Sequence, residues 1–143
     1  MSGMTLSELS ARMRGIDFAM LSTHTTGGEI AARPMSNNGE VEYTGESFFF
    51  SRGGARTVSD IESDPKVSLG FQGRGSPDGA PGLFIAIEGE GTLIRDKAAF
   101  EKHWTPDIER WFERGVDTPG LVLIRVAATR IRYWGEDEGE IVP

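Results

Sequence analysis

The sequence predicts a mainly β protein, a small antiparallel barrel with a few short helices, built as one domain over residues 1–143. Three observations lead there. Short apolar runs recur with two-residue alternation, as in Val67, Leu69, Phe71 and again in Leu83, Ile85, Ile87. Turn signals rich in glycine, asparagine and proline separate these runs, and six or more strands can be counted. Helical spacing is confined to short stretches, with neither an internal repeat nor a linker between them.

In chain order, Thr5-Leu6-Ser7-Glu8 forms a capping box, and Leu6, Leu9 and Met13 share one helical face that ends at Gly15. Ile16 to Leu21 reads as a buried strand. Thr25-Thr26-Gly27-Gly28 turns the chain into a second strand, Ile30 to Met35. Asn37-Asn38-Gly39 is a hairpin signal, because these residues tolerate positive φ. Val41 to Tyr43 and Ser47 to Ser51 are strands on either side of Gly45, and a short helix from Val58 ends at Asp64-Pro65. Strands follow at Val67 to Phe71 and from Leu83 through Gly89 and Gly91 to Arg95, with a glycine- and proline-rich surface loop, 72–82, between them. Asp96 caps a helix to His103, and Thr105-Pro106 opens a second one with proline in its first turn, where the missing N–H costs nothing. Leu121 to Val126 and Thr129 to Trp134 are the final strands, and the acidic tail Glu136 to Glu140 is expected to fray.

Bulk properties narrow the function. A net charge of −7 argues against nucleic acid or an anionic membrane surface as the partner. The absence of cysteine removes disulfides, iron–sulfur clusters and thiol chemistry. No apolar run approaches the roughly 20 residues of a membrane span, and the N-terminus lacks the pattern of a signal peptide. The expectation is a cytoplasmic protein. The two histidines, His24 and His103, sit near no cluster of metal-ligating residues, and no nucleophile elbow is present. These observations argue against a metal site and against hydrolysis. Gly70 to Gly75 lacks the lysine of a phosphate-binding P-loop and reads as a flexible loop.

The most informative stretch is Phe48-Phe49-Phe50-Ser51-Arg52-Gly53-Gly54-Ala55-Arg56-Thr57. A strand, a basic glycine-rich turn and a helix start favour an anion through backbone N–H groups, the helix dipole and bidentate arginine. Arg33-Pro34-Met35 marks a sheet edge or bulge, because Pro34 cannot donate to a ladder. Taken alone, Arg33 reads as a surface arginine. Trp104, Ile108, Trp111 and Phe112 follow helical spacing, as a core face or as a groove or subunit contact would. Trp134 ends the last strand, where it either plugs the barrel or touches a planar ligand.

Together these motifs resemble one family. Arg33-Pro34-Met35, Phe48-Phe49-Phe50-Ser51, Asp64-Pro65, Trp104-Thr105-Pro106, Trp111-Phe112, Gly115-Val116-Asp117-Thr118-Pro119 and Tyr133-Trp134 follow in the order seen in the general stress protein branch of the FMN-binding split-barrel proteins. These are relatives of pyridoxamine 5′-phosphate oxidase, and the likeness runs from about Leu6 to Trp134. The resemblance implies a six-stranded split barrel that forms a homodimer, with FMN at the subunit interface. It implies that Arg33, Pro34 and Met35 lie along the flavin, that Phe49, Phe50 and Ser51 line its ring, and that the following turn holds the phosphate. Trp134 matches a tryptophan that reaches the flavin from the partner subunit, with Trp104 and Trp111 near the same interface.

The chain departs from the family in one place that matters. The usual Ser-x-Lys of the phosphate turn is Ala55 and Thr57 here. Arg52 and Arg56 are the substitutes for the lost charge, and Thr57 retains a hydroxyl. An open outer side to that pocket would admit FAD as well as FMN. The oxidase's C-terminal Arg-x-x-Pro ending is absent, which argues against vitamin B6 oxidation. The function implied is a dimeric flavin protein of the general stress type, either an oxidoreductase of unspecified substrate or a flavin-binding buffer. The alternative is a split-barrel dimer that has lost flavin and serves as an interaction module. No acid, base or nucleophile in the sequence fixes a reaction.

Overall fold

The computed structural model describes residues 3–37, 41–75, 77–79 and 82–143. Helix α1 (Leu6–Met13) opens the chain, followed by β1 (Phe18–His24), β2 (Ile30–Ser36), β3 (Glu46–Arg52), α2 (Arg56–Ser63), β4 (Lys66–Gln72) and β5 (Phe84–Ile94). Helix α3 (Lys97–His103), two 3₁₀ turns (Pro106–Trp111 and Gly115–Asp117), β6 (Leu121–Trp134) and β7 (Glu138–Ile141) complete it. Among the described residues no helix is long and apolar enough to cross a membrane.

All the strand pairings are antiparallel, in the order β2-β1-β4-β5-β6-β3, with β7 added beside the end of β6. Six strands therefore form a continuous path, and its two ends, β2 and β3, do not pair with each other. The barrel is split at that point. β6 makes the path possible because it is long. One edge pairs with β5 along most of its length, while the other carries β3 at its first half and β7 at its last four residues. A bulge at Glu88/Gly89 bends the β5–β6 pair. A Cβ on Gly89 would stand 2.6 Å from the Ala127 carbonyl oxygen, so only glycine fits at the bend.

The alternating runs put Leu21, Leu69, Ile87 and Ile131 into the barrel interior, each fully buried. Each such side chain stabilises the fold by about 1.5–3 kcal/mol relative to exposure. Leu9 and Met13 of α1 close one end of this core. The Phe48–Phe50 run breaks alternation because β3 is covered on both faces. Phe49 enters the barrel core, whereas Phe48 and Phe50 pack into a second cluster with Phe100, Ile108 and Phe112 under α3 and the first 3₁₀ turn.

The capping box stands as predicted: Glu8 N donates to Thr5 Oγ1 (3.1 Å) and Thr5 N donates to Glu8 Oε1 (3.2 Å). Asp96 caps α3 through Ala99 N. Several expectations are corrected. The first strand starts at Phe18, not Ile16, because Ile16 N donates to Met13 O in the turn that leaves α1. Val41 to Tyr43 is not a strand. Tyr43 is buried and its N–H donates to Ser10 Oγ (2.7 Å), so the segment is held by α1 and not by a ladder. The hairpin signal at 37–39 falls partly on Asn38 and Gly39, outside the described residues, and the strands on either side of it do not pair. Asn37 instead donates through Nδ2 to the Met13 and Ile16 carbonyls. The helix expected at Thr105-Pro106 is a 3₁₀ turn, and the two final strands are one. Part of the acidic tail, Glu138–Ile141, forms β7. Its carboxylates alternate outward and Glu140 pairs with Arg130 (3.3 Å).

Candidate functional site

The split creates a cavity of about 500 Å³, within the range of small-molecule and cofactor sites. Its walls come from both ends of the strand path: Pro34, Met35 and Ser36 of β2, and Phe49, Phe50, Ser51 and Arg52 of β3. Ile108, Trp111 and Phe112 of the first 3₁₀ turn and its C-cap cover it, Phe18 stands at its outer side, and Ala55 lies at the start of α2. Pro34 is tolerated where it is because β2 is an edge strand, bonded to β1 alone among the described residues.

The wall is mostly apolar and aromatic, and its supports are rigid. Phe50 meets Trp104 edge to face with centroids 4.9 Å apart, and Trp104 in turn meets Phe112 at 6.2 Å. Trp104 thus backs the wall without lining it. The polar end is built from β3 and α2. Arg52 lays its guanidinium 4.8 Å over the Phe112 ring and donates from Nη2 to the Trp111 carbonyl (3.3 Å), and among the described residues its other N–H groups have no hydrogen-bond partner. Helix α2 begins at Ala55, whose side chain provides no cap, whereas α1 and α3 are capped by Thr5 and Asp96. Among the described residues the Arg56 and Thr57 N–H groups at the start of α2 have no hydrogen-bond partner, whereas Val58 N and Ser59 N donate to the Ala55 carbonyl.

Of the remaining predicted site residues, Trp111 lines the cavity and the others lie elsewhere. Arg33 turns into the barrel and joins a buried network. Its Nη1 donates to Thr23 Oγ1 (2.8 Å) and to the Leu21 carbonyl (3.2 Å), and its Nη2 stands 3.5 Å from Asp60 Oδ2. Thr23 Oγ1 donates to the same Asp60 oxygen (2.8 Å). The physical reason is register: Arg33 pairs with core-facing Leu21, so β2 alternation sends it inward. Arg56 is exposed on α2 and Thr57 is buried; neither lines the cavity. Trp111 lines it and is 51% exposed. Trp134 pairs with Phe84 on the outer face of the sheet, with Arg132 over its ring at 5.1 Å. The sequence reading missed Phe18, Ser36 and Ala55 as lining and missed Asp60 as a partner for Arg33. Asp60 carried a signal: it is an acid one residue before Ile61, inside an otherwise amphipathic helix.

A smaller cavity of about 120 Å³ shares Phe49 with the first. It contains two buried hydroxyls, Tyr43 Oη and Thr105 Oγ1, with no hydrogen-bond partner among the described residues. Burial pushes the Tyr43 hydroxyl pKa well above its ordinary value. His103 stacks on Phe48 at 3.7 Å, and its pKa is lowered by burial and by Lys102, against an opposing pull from Glu46. Among the described residues no group of three or more His, Cys, Asp or Glu side chains is placed to hold a metal.

Comparison with known proteins agrees with this architecture. General stress protein 26 of Bacillus subtilis is 28% identical over 83 residues, which span 57% of this chain and 56% of that protein. The protein bli-3 of Neurospora crassa is 20% identical over 137 residues, 90% of this chain and 63% of that protein. The chain thus matches less than two thirds of the length of these curated relatives. The crystal structure of general stress protein 26 from Bacillus anthracis superposes with a TM-score of 0.76 at 20% identity, covering 98% of this chain and all of that one (100%). A protein related to general stress protein 26 from Clostridium acetobutylicum gives 0.76 at 18% identity, covering 96% and 93%. A heme binding protein from Mycobacterium smegmatis gives 0.75 at 16% identity, covering 99% of this chain and 60% of that one. These likenesses show the split-barrel fold. The model of the family described as pyridoxamine 5′-phosphate oxidase like matches residues 5–142. With nearly every described element inside that match, the chain belongs to the pyridoxamine 5′-phosphate oxidase-like family, in the branch that includes general stress protein 26.

Proposed function

We propose that the cavity in the split holds FMN and that the protein works as a homodimeric flavin protein of the general stress type. The observation that carries this reading is the composition of the cavity. A flat apolar wall of Pro34, Met35, Phe49 and Phe50 runs into Ser51, Arg52 and the uncapped start of α2. A flavin asks for that sequence of environments: an apolar face for its ring, polar groups along its edge and cationic or N–H donors for its phosphate. The residues present therefore fit the group.

In this reading Phe50, braced by Trp104, and Phe49 hold the ring. Ser51 offers a hydroxyl to the ribityl chain. Arg52, oriented by the Trp111 carbonyl, and the first N–H groups of α2 take the phosphate, with Arg56 beside them. Arg33 is assigned to holding α2 in place through Asp60, so it positions the phosphate end without touching the ligand. Bound flavin supplies hydride and single-electron transfer. The haem reading raised by one structural neighbour lacks support in the lining, where Met35 is the single residue of a type that ligates haem iron.

In this reading the dimer uses the outer face of β1, β2 and β5, which is supported by its exposed apolar side chains. Phe18, Met20, Ile30 and Phe84 are 49%, 46%, 73% and 44% exposed there. Phe18 also lines the cavity, and Trp134 lies on the same outer face beside Phe84, as a tryptophan serving the partner's cavity would need to.

The second reading, a dimeric interaction module without flavin, draws on Thr57, which is buried where the family places its lysine. One experiment separates the two. Arg52→Ala with Arg56→Ala should weaken FMN binding about tenfold or more, the worth of lost charge-assisted hydrogen bonds. Riboflavin, which has no phosphate, should be nearly unaffected. Equal losses for both ligands would show that these arginines do not hold the phosphate, and wild-type protein indifferent to FMN and FAD would favour the interaction module.

A further inference from the structure

Next to the split lies a second cleft of about 510 Å³ that shares Arg52 and Trp111 with it. Arg110, Arg114, Glu113 and Thr118 form the rest of its polar lining. Three guanidinium groups against one carboxylate is an unusual concentration in a chain of net charge −7. Among the described residues none of the three has an ion-pair partner. Arg110 is held 5.1 Å over the Trp111 ring, so its fork stays free at the edges. Trp111 is half exposed and offers a ring to a planar group. Free guanidinium forks match phosphate oxygens bidentately, and an exposed indole beside them is a stacking platform for a base.

We propose that this cleft binds a nucleotide moiety, with its phosphate on Arg110 and Arg114 and its base on Trp111. The inference rests on the flavin reading for its position, because Arg52 would stand at the flavin phosphate and the cleft continues outward from there. Two sources share this chemistry: the adenosine monophosphate half of FAD, which continues from the flavin phosphate at Arg52, and a separate nucleotide bound next to FMN. Neither Arg110 nor Arg114 lines the first cavity, so changing the pair removes no group that would touch FMN.

The test is an Arg110→Ala, Arg114→Ala double variant of the full chain, titrated with riboflavin, FMN, FAD and ADP. Intrinsic tryptophan fluorescence and calorimetry report binding, and circular dichroism confirms the fold. FAD and ADP should each bind about tenfold or more weakly than to wild type, with riboflavin and FMN changed less than about twofold. FAD sensitivity without ADP binding to FMN-loaded protein assigns the cleft to FAD. ADP binding to FMN-loaded protein, lost in the variant, assigns it to a separate nucleotide. Equal losses for FMN and FAD would place these arginines on the first phosphate and overturn the proposal, as would unchanged binding of all four ligands. If wild type binds no flavin yet binds ADP in an arginine-dependent way, the flavin reading fails and the cleft stands.

Discussion

The guanidinium of Arg33 on β2 reaches to 3.5 Å from the carboxylate of Asp60 on α2, with Thr23 of β1 bonded to both. Asp60 is 2% exposed, so three elements that frame the site meet at one buried charge. Asp60→Ala leaves an uncompensated arginine and should cost about 3–5 kcal/mol of stability by denaturant unfolding. Arg33→Met added to it should recover part of that loss, since both charges are then gone. If Asp60→Ala alone costs nothing, the network does not anchor α2.

Tyr43 gives a prediction of the opposite sign. Its hydroxyl is buried without a partner among the described residues, and such a group costs about 1–3 kcal/mol. Tyr43→Phe should therefore leave stability unchanged or raise it by about 1 kcal/mol, read as a higher denaturant midpoint at constant slope. A clear loss would mean that the hydroxyl has a bonding partner in solution.

His103 makes stability depend on pH. Its pKa in the folded protein lies below the ordinary value, chiefly through burial. The unfolded chain consequently takes up the proton first as pH falls below about 6.5. Stability from this residue is present above that pH and is lost as pH falls towards the folded-state value. His103→Gln should flatten this part of the profile, measured as the difference in denaturation midpoint between neutral and mildly acidic buffer. An unaltered profile would assign the acid sensitivity to other groups.

The outer face of β1 and β5 tests the dimer. Met20→Glu puts a charge in the middle of the exposed apolar patch and should shift the protein to monomer in sedimentation equilibrium, with the fold intact by circular dichroism. A wild-type protein that is already monomeric at micromolar concentration would remove this face as an interface.

Much of the fold was legible because it rests on local rules. The Thr5–Glu8 box, the Asp96 cap and the alternation through Val67, Leu69 and Phe71 each declare themselves within a few residues. The edge position of Pro34 followed from its missing N–H. What was not legible depends on long-range packing. Nothing local says that Arg33 faces Leu21 and so turns inward to Asp60, 27 positions away in the chain. Phe18 was hidden because its cavity role comes from the split and not from its strand. β7 was missed because an acidic tail gains order only when β6 supplies an open edge and Arg130 supplies a counter-charge. Of the candidate site, the Pro34-Met35 and Phe49-to-Arg52 segments do meet in one cavity, whereas Arg56, Thr57, Trp104 and Trp134 lie around or away from it.

The central claim is that the split between β2 and β3 is a flavin site, and the most direct measurement is the visible absorption spectrum of freshly purified protein, followed by titration of the stripped protein with FMN. The account predicts flavin bands, release of FMN or FAD on denaturation as identified by mass, and saturable quenching of flavin fluorescence that is weakened by Phe50→Ala. Colourless protein that neither quenches nor is quenched by added FMN or FAD would contradict it.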